Sequence, residues 1–152
     1  MKYNPYILTA LVKLVEVSIS PSVSALMDQS LIILNRANAE RSKVGMQPLK
    51  INNALNKLAE SKSKEMVEKK YFSHQSPSYG TAFDMMRSHG INYNIAGENL
   101  AIDTSADNAH AAWMNSKVHK VNILNPNFTE IGIGICAKGN NSYIYTQMFI
   151  GR

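Results

Sequence analysis

Apolar positions recur every three or four residues through most of this chain and switch to alternation near its C-terminal end. The spacing predicts a long helix over Val23–Lys43, with Leu26, Leu31, Leu34, Ala37 and Arg41 on one face and Gly45 as a left-handed stop. Pro48 and Leu49 form an extended step. A second helix runs from an Asn52 or Asn53 cap to about Lys70, with Leu55, Leu58, Ala59, Met66 and Val67 toward the core. Thr81 and Asp84 are spaced as a capping box for a short helix that carries Phe83 and Met86 and stops at Gly90. Residues 94–102 read as a strand. Ser105 caps a helix bearing Ala109, Ala112 and Trp113, and Ser116 can cap a last short turn holding His119. Residues 130–137 alternate Ile with Gly or Cys, residues 138–142 make a turn, and residues 143–150 return beside them. Helices, a strand, helices and then a hairpin predict an α+β fold, a three-layer α-β-α sandwich on a central antiparallel sheet.

The N-terminal residues 1–22 stand apart as a helix or signal-like segment plus linker, leaving residues 23–152 as the domain. Residues 7–19 are mostly apolar, and Ser22-Val23-Ser24-Ala25 has the look of a cleavage site, but Lys13 and Glu16 interrupt the run. The favoured reading is a short amphipathic helix capped by Asn4, with Pro5 at its first position and Ile7, Leu8, Leu11, Leu14 and Val15 as its apolar stripe. That stripe needs a partner: the domain, another chain or a membrane surface. No apolar run approaches the ~20 residues a bilayer-spanning helix requires.

Composition narrows the partners. Of 152 residues 45% are hydrophobic and 18% charged, so a packed core is expected. The formal charge of +5 favours acidic partners such as wall polymers or lipid head groups. Nucleic acid is disfavoured, because no basic–aromatic alternation offers stacking platforms. Lys57, Lys62, Lys64, Lys69 and Lys70 interleave with Glu60, Glu65 and Glu68, which reads as a solvated helix face with ion pairs. Cys136 is the single cysteine, so no intrachain disulfide forms; in its apolar run it reads as a small buried hydrophobe. His89 sits at a helix C-terminus and His110 on an exposed helix face. Trp113 reads as a core anchor, and Gly132 with Gly134 as a strand passing close to another backbone.

Six motifs occur together: Leu34-Asn35 with Arg41, Gly45 and Pro48-Leu49; Tyr71-Phe72-Ser73-His74 with Ser76-Pro77; Ala96-Gly97-Glu98-Asn99-Leu100-Ala101; Trp113-Met114-Asn115-Ser116-Lys117-Val118-His119 with Asn122-Ile123-Leu124; Phe128-Thr129-Glu130-Ile131-Gly132-Ile133-Gly134; and Tyr145-Thr146-Gln147-Met148-Phe149. In this order the chain resembles the CAP superfamily (the SCP, cysteine-rich secretory, antigen 5 and pathogenesis-related domain) over about residues 31–150. Members outside bacteria are disulfide-rich, so a lone cysteine places the resemblance with the bacterial branch. The resemblance implies an α-β-α sandwich with a central cleft holding two His and two acidic residues. The first His and the first Glu fall on His74 and Glu98. Where many eukaryotic members carry the second Glu, this chain has Ser116, and where they carry the second His it has Ile144. The bacterial pattern supplies His119 instead, with Lys117-Val118 where Pro-Gly is usual. The implied cleft residues are His74, Glu98, Asn99, Ser116 and His119.

Two imidazoles and a carboxylate form a reasonable set for Zn²⁺ or another divalent cation, giving a candidate metal site of His74, His119 and Glu98. A structural alternative has Glu98 accepting backbone N–H bonds and His74 fastening its loop. A hydrolase would use Glu98 as general base on water. Ser73, Ser76 and Ser116 lie in no nucleophile elbow. The reading carried forward is a secreted or envelope-associated binding module, not an enzyme, whose resemblance implies lipid, cell-wall or host protein ligands. The alternatives are a metal-assisted hydrolase acting on peptide or wall material, and a structural interaction domain with a vestigial cleft.

Overall fold

The strand that alternates Ile with Gly sets the layering. In the computed structural model, which describes residues 21–152, Glu130–Gly139 (β3) turns Ile131, Ile133 and Ile135 to one face and Gly132 and Gly134 to the other. The glycine face carries helix Asn53–Glu68 (α2) so close that a Cβ at Gly134 would collide with the backbone of Ala59 and Glu60, and one at Gly132 with Leu55. The isoleucine face packs against helices Val23–Lys43 (α1), Ala106–Met114 (α4) and Lys117–Ile123 (α5). A short helix, Ala82–Ser88 (α3), joins α2 on the glycine side. This is the expected α+β three-layer sandwich.

Strand Ser142–Gly151 (β4) returns antiparallel to β3 through Asn140 and Asn141, both at positive φ, a tighter reversal than the five-residue turn expected. Strand Ile95–Asp103 (β2) pairs antiparallel with β4 and forms one sheet edge. At the other edge Lys50–Ile51 (β1) runs parallel to Glu130 and Ile131. The sheet is therefore mixed, in the order β1-β3-β4-β2, and its three long strands are antiparallel. The region around Pro48 and Leu49 thus leads into a strand too short to show any periodicity.

Several caps form as read. Asn52 caps α2 through Leu55 N–H, Ser105 caps α4 through Asn108 N–H, and Thr81 with Asp84 closes a full capping box on α3. Ser116 occupies the N-cap of α5 but makes no side-chain cap bond. On α1, Ile33, Ala37 and Arg41 are buried, whereas Leu31 is exposed, so the core stripe lies to one side of the expected one. Arg41 is fully inside and its guanidinium donates to the carbonyls of Gln47, Ile123, Asn125 and Phe128, tying α1 to the loops around α5. Trp113 is buried as expected, and its indole N–H donates to Leu100 O at 3.0 Å, fixing α4 on β2.

Three expectations need correction. Lys62 and Glu65 do not lie on a solvated face: Lys62 is fully buried and Glu65 nearly so, because both turn toward the segment after α2. The ion-paired surface reading holds for Lys64 with Glu68, 3.8 Å apart. His110 is buried against α1, not exposed. Cys136 is only half-buried, at the rim of a surface groove. The helix or signal-like reading of residues 1–20 lies outside the described residues.

Candidate functional site

At the β2 edge, three segments distant in sequence meet. Glu98 lies on β2, His74 in the stretch after α2, and His119 on α5. Glu98 needs Gly97 before it, where a Cβ would press on Phe128 and Asn122. The backbone of Glu98 is held from α5 by Asn122 Nδ2–H donating to its carbonyl at 3.2 Å. The side chain of Glu98 is 4% exposed while that of His74 is 60% exposed, and Oε1 of the one meets Nδ1 of the other at 2.6 Å. A carboxylate can only accept here, so Nδ1 carries the proton and Nε2 points away from Glu98. Glu98 Oε2 is buried and has no hydrogen-bond partner among the described residues. The expectation that Glu98 accepts backbone N–H bonds is not met; the imidazole takes that place.

Beneath the pair lies Lys62. Its Nζ donates to His74 O at 3.1 Å and sits 5.5 Å from the centre of the Tyr71 ring. Burial lowers its pKa, opposed by the charges of Glu98 and Glu65. Glu65 anchors the rest of the segment: its Oε2 accepts from Ser76 at 2.7 Å and Tyr71 at 3.0 Å, and its Oε1 pairs with Lys69 at 3.2 Å. Burial would raise the Glu65 carboxyl, but hydrogen bonds from Ser76, Ser78, Lys69 and Tyr71 bring it down to about 2. Lys62 and Glu65 are the site-building residues that sequence reasoning missed. The signal was there: Lys62 stands three and four positions from Ala59, Leu58 and Met66, on the apolar stripe of α2.

The two imidazoles differ electrically. The hydrogen bond to Glu98 raises the His74 pKa, against burial and the charge of Lys62. Burial, and then the charge of His74, lowers that of His119. Asn99 is fully buried on the opposite face of β2, where its amide donates to His119 O and to Gln147 and accepts from Asn122. It positions α5 from behind. Ser116 is half-buried at the start of α5. Of the other serines, Ser76 is engaged by Glu65 and by Ser78 and Tyr79 N–H, and Ser73 accepts from Gln75 N–H. Among the described residues, no group of three or more His, Cys, Asp or Glu side chains is placed to hold a metal ion. Glu98 stands behind His74 and turns its other oxygen inward.

The model of the cysteine-rich secretory protein (CAP) family matches residues 34–149, most of the chain and every segment of this site. The chain belongs to the CAP family. This CAP chain is 50% identical over 121 residues to the Bacillus subtilis protein YkwD, covering 79% of the chain and 46% of YkwD. Its fold superposes with a TM-score of 0.77 on an extracellular SCP-domain protein from Bacillus anthracis, at 32% identity, covering 83% of this chain and 41% of that one. It also superposes on an outer surface protein of Borrelia burgdorferi, with a TM-score of 0.76, 22% identity and coverage of 82% and 93%. The CAP chain thus spans less than half the length of YkwD and of the B. anthracis protein. It is a bacterial-type CAP domain, and its Borrelia likeness speaks to the fold alone.

Proposed function

We propose that this CAP domain is an extracellular or envelope-associated binding module, not an enzyme, whose ligand meets the β2-edge cleft through His74 and His119. The observation that carries this reading is the 2.6 Å contact between exposed His74 and buried Glu98. The carboxylate fixes the imidazole's tautomer and direction and favours its cationic form, so Nε2–H is a donor for an anionic or carbonyl oxygen. His119 on α5, held toward neutrality by burial and by the charge of His74, adds an acceptor. Two unlike imidazoles suit a polar group on a small, lipid, wall or host protein ligand. The extracellular setting draws on the B. anthracis neighbour, which is described as an extracellular protein. Among the described residues no helix is long and apolar enough to cross a membrane.

A second reading has a specific observation behind it. A carboxylate on one ring nitrogen is the outer-shell arrangement of metal-binding histidines, so His74 Nε2 and His119 together could take a divalent cation with Glu98 behind. That supplies two protein ligands, short of the three of a catalytic zinc centre, and the hydrolase reading gains no support from it. Calorimetry with Zn²⁺ alone near pH 7.5, on the wild type, His74→Ala and His119→Ala, tests the paired imidazoles. The metal reading predicts micromolar binding (about −8 kcal/mol) that is lost in both variants, and the leading reading predicts none. Binding indifferent to both substitutions would remove the cleft as the site.

A further inference from the structure

At the sheet edge opposite the cleft, β1 pairs only with Glu130 and Ile131, and among the described residues no strand lies against that side of β3 beyond them. A groove of about 670 Å³ opens there between α1 and α2. Its floor is Ile133 and Ile135, with half-buried Cys136 at its rim, and its α1 wall is the stripe Val23, Met27 and Leu31, spaced four and four. Those three side chains are 76%, 62% and 55% exposed. A row of large apolar side chains beside an apolar floor is a surface that water covers poorly.

We propose that this groove is the seat of the chain's own apolar run, residues 7–19. The run ends three residues (Ser20, Pro21 and Ser22) before Val23, which itself lines the groove. Those three residues reach about 10 Å when extended, enough to reverse the chain onto α1 and too little to carry the run far from it. The lengths agree: as a helix the run is about 20 Å long, and the groove wall from Val23 to Leu34 about 17 Å. The stripe of Ile7, Leu8, Leu11, Leu14 and Val15 supplies the apolar face. Lys13 and Glu16 in the run match the opposite charges of Glu60 and Lys64 at the groove rim.

Cys136 makes the inference measurable, because it is the chain's single cysteine and lines the groove. The test compares the rate at which a disulfide reagent modifies Cys136 in the full chain and in the full-chain variant Leu11→Asp/Leu14→Asp. Seating of the run predicts a rate at least tenfold slower in the wild type, independent of protein concentration. Equal rates in two folded proteins would overturn it. Protection that fades on dilution would also overturn it, by assigning the groove to a second copy. Should the variant fail to fold, nuclear Overhauser contacts in the wild type between the methyls of Leu11 or Leu14 and those of Met27 or Leu31 decide alone. Their presence supports the seating and their absence rejects it.

Discussion

The imidazole of His74 reports the state of two buried neighbours. Glu98 raises its pKa and Lys62 lowers it, so the two substitutions act in opposite directions. Glu98→Gln should bring the His74 titration, followed by its ring proton NMR shifts, down toward the ordinary value of about 6.5. Lys62→Met should move it further up. A His74 curve unmoved by either change would mean the 2.6 Å contact does not form in solution. Because the folded pKa is raised, the stability His74 contributes is fully present below about pH 6.5 and is lost as pH rises through the folded value. His119 has the opposite sign: its folded pKa is lowered, so it costs stability as pH falls from about 6.5 toward that lower value. Denaturation curves of Glu98→Gln should therefore lose the decline above about pH 6.5. Of this site, Glu98 and His74 were legible as residues through family motifs, but their direct bond was not. Lys62 was read as solvated because a lysine on an apolar stripe is ordinarily a surface residue, and its burial is made tolerable by His74 O, the Tyr71 ring and the charges of Glu98 and Glu65.

At the scale of elements, legibility followed the range of the interaction. Caps at Asn52, Thr81 and Ser105 are set by side chains three residues from the N–H they satisfy, and all three formed as read. Strand β1 was missed because its two residues are defined only by Glu130 and Ile131, some eighty positions away. On α1, Leu31 and Ile33 are equally apolar, and the choice between them rests on where α4 packs. The glycines of β3 were legible as a close approach, though not its partner. Gly134→Ala tests the packing of α2 on the sheet. The new methyl would strike the backbone of Ala59 and Glu60, which cannot rotate away as a side chain would. The expected cost is about 3 kcal/mol, read as a lower urea midpoint at unchanged slope. A cost under about 1 kcal/mol would show that α2 shifts freely on β3.

Across the whole molecule, sheet order keeps the two candidate surfaces apart. The His74–Glu98 pair sits on the β2 edge and the groove on the β1–β3 edge, with β4 between them. Two strand spacings alone separate β2 from β3 by about 10 Å, and no described hydrogen bond links Glu98 or His74 to a residue of the groove. Sites that far apart without shared partners should add in stability to within about 0.5 kcal/mol. Glu98→Gln and Ile135→Val form a suitable pair, since the second removes one buried methylene at the groove floor at a cost of about 1 kcal/mol. The double variant should unfold in urea at the sum of the single effects, and His74 should titrate alike in Ile135→Val and the wild type. A coupling above about 1 kcal/mol would mean that the glycine-seated α2, which carries Lys62 against His74 and Glu60 and Lys64 at the groove, transmits strain between them. Additivity would instead make this fold a frame with two independent edges, so that a ligand at His74 leaves the groove undisturbed.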